Sequence, residues 1–339
     1  GTMIQKYGLS ETDFRGERFA HLPGQQRGNN DLLVLSRPEV IREIHTRYLE
    51  AGADIIETCT FNSQSISLAD YHCESLVKEI NFAAAQLART CADNYATPEK
   101  PRFVAGSVGP TNKTCSLSPD VNDPALRTLH FDELAIAYQE QIEALLEGGV
   151  DAILIETVFD TLNAKAAVVA AQAAMSTKGR EVPIMLSVTV ADKGGRTLSG
   201  QTLEAFLASF STMPIFSVGL NCSFGAKDMK PFLENLAARA PYYISVYPNA
   251  GLPNSLGEYD ETPEHMASEV AEFLDENLIN IVGGCCGTTD KFIAEYPKLL
   301  EGRTPHRPVA VPSCLWLSGL ESCEIRPARN FTNIGERCN

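Results

Sequence analysis

The chain has 339 residues, 44% hydrophobic and 21% charged, so it can bury a substantial core in one large α/β barrel or in two smaller domains. Its formal net charge of -15 argues against broad binding of nucleic acid or anionic membrane, because both need clustered Lys and Arg. No uninterrupted apolar stretch approaches about 18 residues, and no charged-then-apolar leader opens the chain. We therefore expect a soluble cytoplasmic protein.

Short apolar runs alternate with segments whose apolar residues recur about every 3.6 positions, as in amphipathic helices. The runs predict strands at 53–61, 102–109, 151–157, 183–190, 215–222, 242–247 and 279–284. The periodic segments predict helices at 38–51, 73–92, 132–147, 160–175, 202–209, 230–239, 264–276 and 289–300. Seven successive strand–helix units predict an α/β fold of the (β/α)8 TIM-barrel class.

Two similar segments support the barrel. Ala-Gly-Ala-Asp-Ile-Ile-Glu-Thr at 51–58 resembles Gly-Gly-Val-Asp-Ala-Ile-Leu-Ile-Glu-Thr at 148–157, as expected where successive units repeat one geometry. An open doubly wound sheet is disfavoured, because no Gly-x-Gly-x-x-Gly turn follows any strand. Since this barrel class has eight strands, we expect the first strand to lie upstream of residue 1, or the irregular stretch at 1–5 to replace it.

The composition changes after Leu300. Residues 302–312 are rich in proline, which favours an extended linker over a helix. We therefore divide the chain into a barrel at 1–302, whose first strand is truncated or replaced, a Pro-rich linker or extension at 303–330, and the start of a further module at 331–339.

The ten cysteines do not suggest a disulfide framework, because a chain of this length does not need such cross-links. Cys222 and the pair Cys285-Cys286 each end a short apolar run before a helical pattern, so their sulfurs are expected at strand ends. Three thiolates with one open position describe a catalytic zinc site. The alternative is a small buried apolar side chain, which we favour for Cys59, Cys73, Cys91 and Cys115.

A zinc ion with three thiolate ligands suits a thiol substrate. Three neutral His ligands leave the metal electron-poor and acidify water, whereas three thiolates offset its charge. Such a metal removes a thiol proton at neutral pH and still leaves the bound sulfur able to attack carbon.

Several strings carry a family resemblance. Gly-Leu-Asn-Cys, Gly-Gly-Cys-Cys-Gly, Gly-Pro-Thr-Asn-Lys, Ile-Glu-Thr-Val-Phe-Asp-Thr and Tyr-Pro-Asn-Ala-Gly-Leu-Pro-Asn resemble the zinc-dependent homocysteine S-methyltransferase family. Within the family, the similarity is strongest to the N-terminal homocysteine-binding module of cobalamin-dependent methionine synthases. The resemblance covers nearly the whole chain.

The resemblance implies a (β/α)8 barrel in which Cys222, Cys285 and Cys286 bind zinc. Homocysteine would supply the fourth sulfur and take the methyl group of methylcobalamin, giving methionine and cob(I)alamin. The implied partners are cobalamin-binding and folate-binding modules of the same polypeptide, with methyltetrahydrofolate as the ultimate donor. The segment Asn-Ile-Gly-Glu-Arg at 333–337 resembles the start of that folate module.

Homocysteine carries an ammonium group and a carboxylate, so its pocket needs an acidic residue and a set of donors. Glu156 matches the family's amine-binding carboxylate, and Glu57 is interpreted as structural. The candidates for binding the substrate carboxylate are Thr58, Phe61 and the backbone N–H groups at Gly106 and Ser107. The candidate for the fourth zinc position in the absence of homocysteine is the side-chain oxygen of Asn249.

Two alternatives stay open at this point. A homocysteine methyltransferase that uses betaine or S-methylmethionine would share the zinc cysteines without the folate-module segment. A non-catalytic interaction domain stabilised by zinc would take its fourth ligand from protein. One departure from the family also matters: members carry Asp-Gly-Ala-Met or a similar string immediately before Gly-Thr, and this chain begins at Gly1-Thr2-Met3. Amine binding and barrel closure would then depend on residues upstream of Gly1.

Overall fold

The structure is a computed structural model that describes residues 1–255, 257, 259–328, 331, 332 and 335. The predicted start of a further module at 331–339, including most of the segment at 333–337, falls largely outside the described residues and stays a prediction.

The centre of the molecule is a curled, all-parallel sheet of the TIM-barrel type. Within the described residues it has seven strands in sequential order, β1 (Ile55–Glu57), β2 (Phe103–Val108), β3 (Ala152–Val158), β4 (Ile184–Val188), β5 (Ser217–Asn221), β6 (Tyr243–Tyr247) and β7 (Ile281–Val282). Each strand lies inside or within one residue of a predicted run, so the seven predicted strands are confirmed. Because the strands are parallel, their carboxyl ends meet at one mouth of the barrel.

Helices surround the sheet. In the described chain they are α1 (Thr2–Gln5), α2 (Glu11–Arg15), α3 (Leu33–Ser36), α4 (Pro38–Glu50), α5 (Ser65–Leu68), α6 (Val77–Tyr95), α7 (Phe131–Gly148), α8 (Thr161–Lys178), α9 (Leu203–Phe210), α10 (Ala226–Ala237), α11 (Pro263–Asp275) and α12 (Asp290–Leu300). The eight predicted helices are confirmed, and the short helices α1, α2, α3 and α5 were not predicted. None of the described helices is long and apolar enough to cross a membrane.

The N-terminal stretch is helical rather than irregular. Thr2 in α1 accepts a hydrogen bond on its Oγ1 from the Gly287 N–H at 3.0 Å, which brings this helix to the barrel mouth. In the described part of the chain β1 and β7 do not pair with each other. The helices outside them make contact instead: Arg47 of α4 binds Asp290 of α12, with Nη2 3.1 Å from Oδ1.

The pleat of the strands fixes which side chains point into the barrel. Ala105, Leu154, Met185 and Tyr247 pack together there. Because side chains alternate along a strand, residues two positions further on lie one layer closer to the mouth. That layer contains Ser107, Glu156 and Ser187, and polar side chains therefore collect where the strands end.

Gly219 of β5 lies against Ser245 of β6, and a Cβ atom there would stand 2.0 Å from the Ser245 carbonyl oxygen. We expect Gly219→Ala to lower the free energy of unfolding by about 3 kcal/mol, because overpacking forces the backbone to shift. Urea denaturation of both proteins would measure this. Gly319→Ala is the control, since its nearest contact is 3.7 Å away. Equal losses from both changes would contradict the packing argument.

The segment after α12 contains an antiparallel hairpin of β8 (Leu315–Ser318) and β9 (Ser322–Ile325), which the proline-rich composition did not predict. It is bonded to the start of α9: Ser318 Oγ donates to the Ala205 carbonyl at 2.7 Å, and the Thr202 N–H donates to the Leu320 carbonyl at 3.0 Å. Upstream, the Val309 N–H donates to the Ala240 carbonyl at 3.0 Å. This segment therefore packs on the barrel, and the domain division at 302 stays a prediction.

Candidate metal centre

Three thiols converge at the barrel mouth. Cys222 follows β5, and Cys285 and Cys286 follow β7. The Sγ atoms of Cys222 and Cys286 are 3.7 Å apart, those of Cys285 and Cys286 are 4.0 Å apart, and all three lie within 4.8 Å of one another. The structure thus brings together the three cysteines that the sequence singled out.

The spacing of these sulfurs fits zinc. In a tetrahedral site with Zn–S distances of about 2.3 Å, two sulfur ligands stand about 3.8 Å apart. In the described part of the chain, no fourth Cys, His, Asp or Glu ligand atom joins the cluster. Cys286 is exposed and the other two are partly exposed, so an outside ligand can reach the centre.

The backbone around the cysteines is held by specific contacts. Cys222 adopts a left-handed conformation with φ of 60°, which is uncommon for a residue other than glycine. The Cys285 N–H donates to the Pro248 carbonyl at 2.8 Å. Gly283 lies against Tyr247, where a Cβ would stand 2.7 Å from the ring. The glycine before the cysteine pair therefore permits close packing of the backbone against the Tyr247 ring.

The three thiols also interact electrostatically. Hydrogen bonds from Cys222 and Cys285 lower the pKa of the Cys286 thiol, whereas hydrogen bonds with Cys222 and Cys286, together with burial, raise the pKa of Cys285. Tyr259 packs on Gly287 and its hydroxyl hydrogen-bonds to Cys286. The lowered pKa favours the thiolate form of Cys286, which is the form that binds cations.

Glu156 faces the mouth from a bulge in β3. Between Ile155 and Val158 the register with β4 shifts, so β3 carries one extra residue there. Thr157 takes up the change with φ of 56°, a strained value for a β-branched residue. Ser107 Oγ donates to Glu156 Oε1 at 2.5 Å. Burial raises the pKa of Glu156 to about 8, and the nearby Glu57 carboxylate adds to the shift.

Two further acidic groups lie near Glu156. The side chain of Glu57 reaches the solvent of the mouth, but the surrounding barrel wall still desolvates it and raises its pKa. Asp31 is buried beneath the loop after β1, where its Oδ2 accepts hydrogen bonds from the Asn62 N–H at 2.7 Å and Ser63 Oγ at 2.8 Å. Burial raises the pKa of Asp31 to about 6. The mouth opposite the thiols is therefore acidic.

The predicted carboxylate-binding residues lie at the same mouth but are already hydrogen-bonded within the protein. Thr58 Oγ1 accepts a hydrogen bond from the Ser107 N–H at 3.0 Å and lies 2.6 Å from Thr60 Oγ1. The Phe61 carbonyl accepts from the Gly109 N–H at 3.0 Å. Gly106 faces outward, since a Cβ there would stand 3.1 Å from Leu145 of α7. Their contact with a substrate stays a prediction.

Asn249 lies beside the cysteine pair. Its Oδ1 accepts a hydrogen bond from the Cys286 N–H at 3.1 Å, and its own N–H donates to the Phe224 carbonyl at 3.0 Å. The side chain is buried and close to the thiols. Its hypothesised place as fourth metal ligand stays a prediction.

Sequence reasoning missed Asn221 and Tyr259 and left Glu57 outside the site. Asn221 precedes Cys222 and its Nδ2 donates to Cys285 Sγ at 3.9 Å. Its position in the Gly-Leu-Asn-Cys string was an available signal. Tyr259 follows a loop whose path no local pattern indicates.

The fold and this site identify the class of protein. The sequence model of the homocysteine S-methyltransferase family matches residues 1–300, and the chain belongs to that family. Among solved structures it is similar to the homocysteine methyltransferase MmuM from Escherichia coli. With the metallated form the identity is 21% and the TM-score 0.66, over 87% of this chain and 91% of that one. With the apo form the identity is also 21% and the TM-score 0.61, over 88% and 92%. At this identity the likeness supports the fold.

Proposed function

We propose that this chain is a zinc-dependent module that transfers a methyl group to the sulfur of homocysteine. The observation that carries the proposal is a three-thiol cluster with tetrahedral spacing and an accessible open side. A purely structural zinc site would be closed by a fourth protein ligand. An open side instead leaves a position for a substrate thiol.

Different residues of the chain would bind the two ends of the substrate. Cys222, Cys285 and Cys286 would hold zinc, which when bound favours the thiolate form of homocysteine and keeps its sulfur nucleophilic. Glu156 would bind the substrate ammonium, with Ser107 fixing the position of its carboxylate through the 2.5 Å hydrogen bond. The exposed Glu57 carboxylate adds negative charge on the same side.

The walls of the pocket would receive the substrate carboxylate. The backbone at Gly106 is proposed for this role because it lies on β2, which pairs with the strand of Glu156. Thr58 and Phe61 are proposed with it because they lie on the loop after β1, which pairs with β2. Asn249 would occupy the fourth zinc position before substrate binds. A zinc-loaded, substrate-free crystal structure with only water in that position would contradict this assignment.

Methylcobalamin is the methyl donor that we propose, on the basis of the motifs shared with cobalamin-dependent family members. Methylcobalamin would supply an electrophilic methyl group, and the substrate sulfur held through Cys222, Cys285 and Cys286 would accept it. Cobalamin-binding and folate-binding modules of the same polypeptide would then supply and recharge this donor.

The test is methyl transfer by the zinc-loaded chain to homocysteine from three separate donors: methylcobalamin, S-methylmethionine and betaine. We expect methionine from methylcobalamin, with matching loss of its visible absorption, and no methionine from the other two donors. Methionine from S-methylmethionine or betaine alone would reassign the donor. Stoichiometric zinc with no transfer from any donor would favour the non-catalytic interaction domain.

A further inference from the structure

Asn221 connects the two halves of the candidate site. Its side chain is 1% exposed and lies at the end of β5, between the acidic residues and the thiols. Oδ1 accepts hydrogen bonds from the Thr157 N–H at 3.0 Å and from Ser187 Oγ at 2.6 Å. Nδ2 donates to Thr157 Oγ1 at 2.8 Å and to Cys285 Sγ at 3.9 Å. Both donors and both acceptor positions of the amide are therefore used.

One residue bonded to Asn221 and the residue that follows Asn221 in sequence are both strained. Thr157, with φ of 56°, immediately follows Glu156, and Cys222, with φ of 60°, immediately follows Asn221. Each such conformation costs on the order of 1–3 kcal/mol and persists only where its surroundings enforce it. The paired hydrogen bonds between Asn221 and Thr157 enforce the first, and through it the direction of the Glu156 side chain.

We propose that Asn221 is a positioning residue that fixes the spacing between Glu156 and the three thiols, and thereby favours homocysteine over the shorter cysteine. This inference rests on the proposed function. A substrate held by its ammonium at one end and its sulfur at the other must match that spacing. Cysteine is one methylene shorter, and a site discriminates one methylene by about 10–200-fold.

The experiment compares dissociation constants of homocysteine and cysteine for the zinc-loaded protein and its Asn221→Ala variant. We expect the preference for homocysteine to fall by about tenfold in the variant. Zinc stoichiometry should stay at the wild-type value, because Asn221 is not a proposed ligand. An unchanged preference in a folded, zinc-loaded variant would overturn the inference.

A second pair of variants tests the same link if Asn221→Ala does not fold. Thr157→Val keeps the shape of the side chain but removes the Oγ1 acceptor, whereas Thr157→Ser keeps that oxygen. We expect the preference to fall in the Val variant and to be restored in the Ser variant. Equal preferences in both would overturn the inference. If the wild-type protein binds no homocysteine, the proposed function itself fails, which is a distinguishable result.

Discussion

Replacement of Cys286 by serine is expected to lower zinc affinity by about 100-fold or more and to abolish methyl transfer. Zinc binding to such sites is worth about 10–16 kcal/mol shared among four ligands, so one thiolate accounts for about 3 kcal/mol. Cys286 is exposed, and its sulfur lies 3.7 Å from that of Cys222, so the change removes a ligand without opening the core. Competition with a colorimetric zinc chelator would measure the affinity.

Cys323→Ser is the matched control for this prediction. Cys323 is also exposed, but it lies in β9 of the hairpin and its sulfur is not part of the three-thiol cluster. We expect it to bind zinc as the wild-type protein does. If Cys286→Ser retains wild-type zinc affinity while circular dichroism shows an intact fold, the three-thiolate assignment is wrong.

The second large effect is expected at Glu156. A hydrogen bond to a charged group is worth about 1.5–3 kcal/mol, so Glu156→Gln should weaken homocysteine binding by roughly 10–150-fold. The change keeps the shape of the side chain and its contact with Ser107. Calorimetric titration of the zinc-loaded protein would measure the dissociation constant.

The compound 4-mercaptobutanoate, which is homocysteine without its amino group, is the control ligand. It keeps the thiol and the carboxylate, so Glu156→Gln should leave its affinity nearly unchanged. If the variant weakens both ligands equally, Glu156 acts on the fold or the metal rather than on the ammonium group. If it weakens neither, the amine-binding role is wrong.

The raised pKa of Glu156 adds a pH dependence to this prediction. With a pKa of about 8, the substrate-free carboxyl group keeps its proton at pH 6 to 7 and must release it to bind an ammonium group. Homocysteine affinity should therefore increase as pH rises from 6 to about 8, and more steeply than the affinity of 4-mercaptobutanoate. The carboxyl groups of Glu57 and Asp31, whose pKa values are also raised, lie near Glu156 and add to the steepness. The Tyr247 hydroxyl lies near them too, but burial raises its pKa, so it stays protonated in this range. Equal slopes for the two ligands would contradict the assignment.

The raised pKa of Glu156 also affects the stability of the fold, which should decrease as pH rises while homocysteine affinity increases. Between the ordinary pKa of 4.5 and the raised value of about 8, the native protein binds a proton at Glu156 that the unfolded chain has lost. The free energy of unfolding therefore decreases as pH rises through this window, and Glu156→Gln should remove part of that decrease. The residue that would bind the substrate is thus one that destabilises the empty site.

The strands and the convergence of the three cysteines could be predicted because their signals are local. A buried parallel strand appears as a short apolar run, and the ends of such strands meet at one mouth whatever the details of the loops. Cys222 and Cys285 end two such runs, so their convergence followed from the fold class. Their spacing came only from the structure.

The rest of the site depends on contacts between distant segments. The bulge at Thr157 has no signature in the apolar pattern of β3, and the residue that hydrogen-bonds to it, Asn221, lies 64 residues later. The hairpin after α12 was missed for a related reason, since α9 supplies its partners. The amino-acid composition of such a segment does not show which distant segments it packs against.

The strands of the sheet differ in how many neighbours they pair with, and this has a consequence for the protein without bound metal. β7 is two residues long and, within the described chain, hydrogen-bonds only to β6, yet it leads into Cys285 and Cys286. A bound ion would cross-link that short edge strand to Cys222 at the end of the interior strand β5. Metal occupancy would then suppress local fraying at the open edge of the barrel, and loss of the ion would release first the segment that carries two of its three ligands.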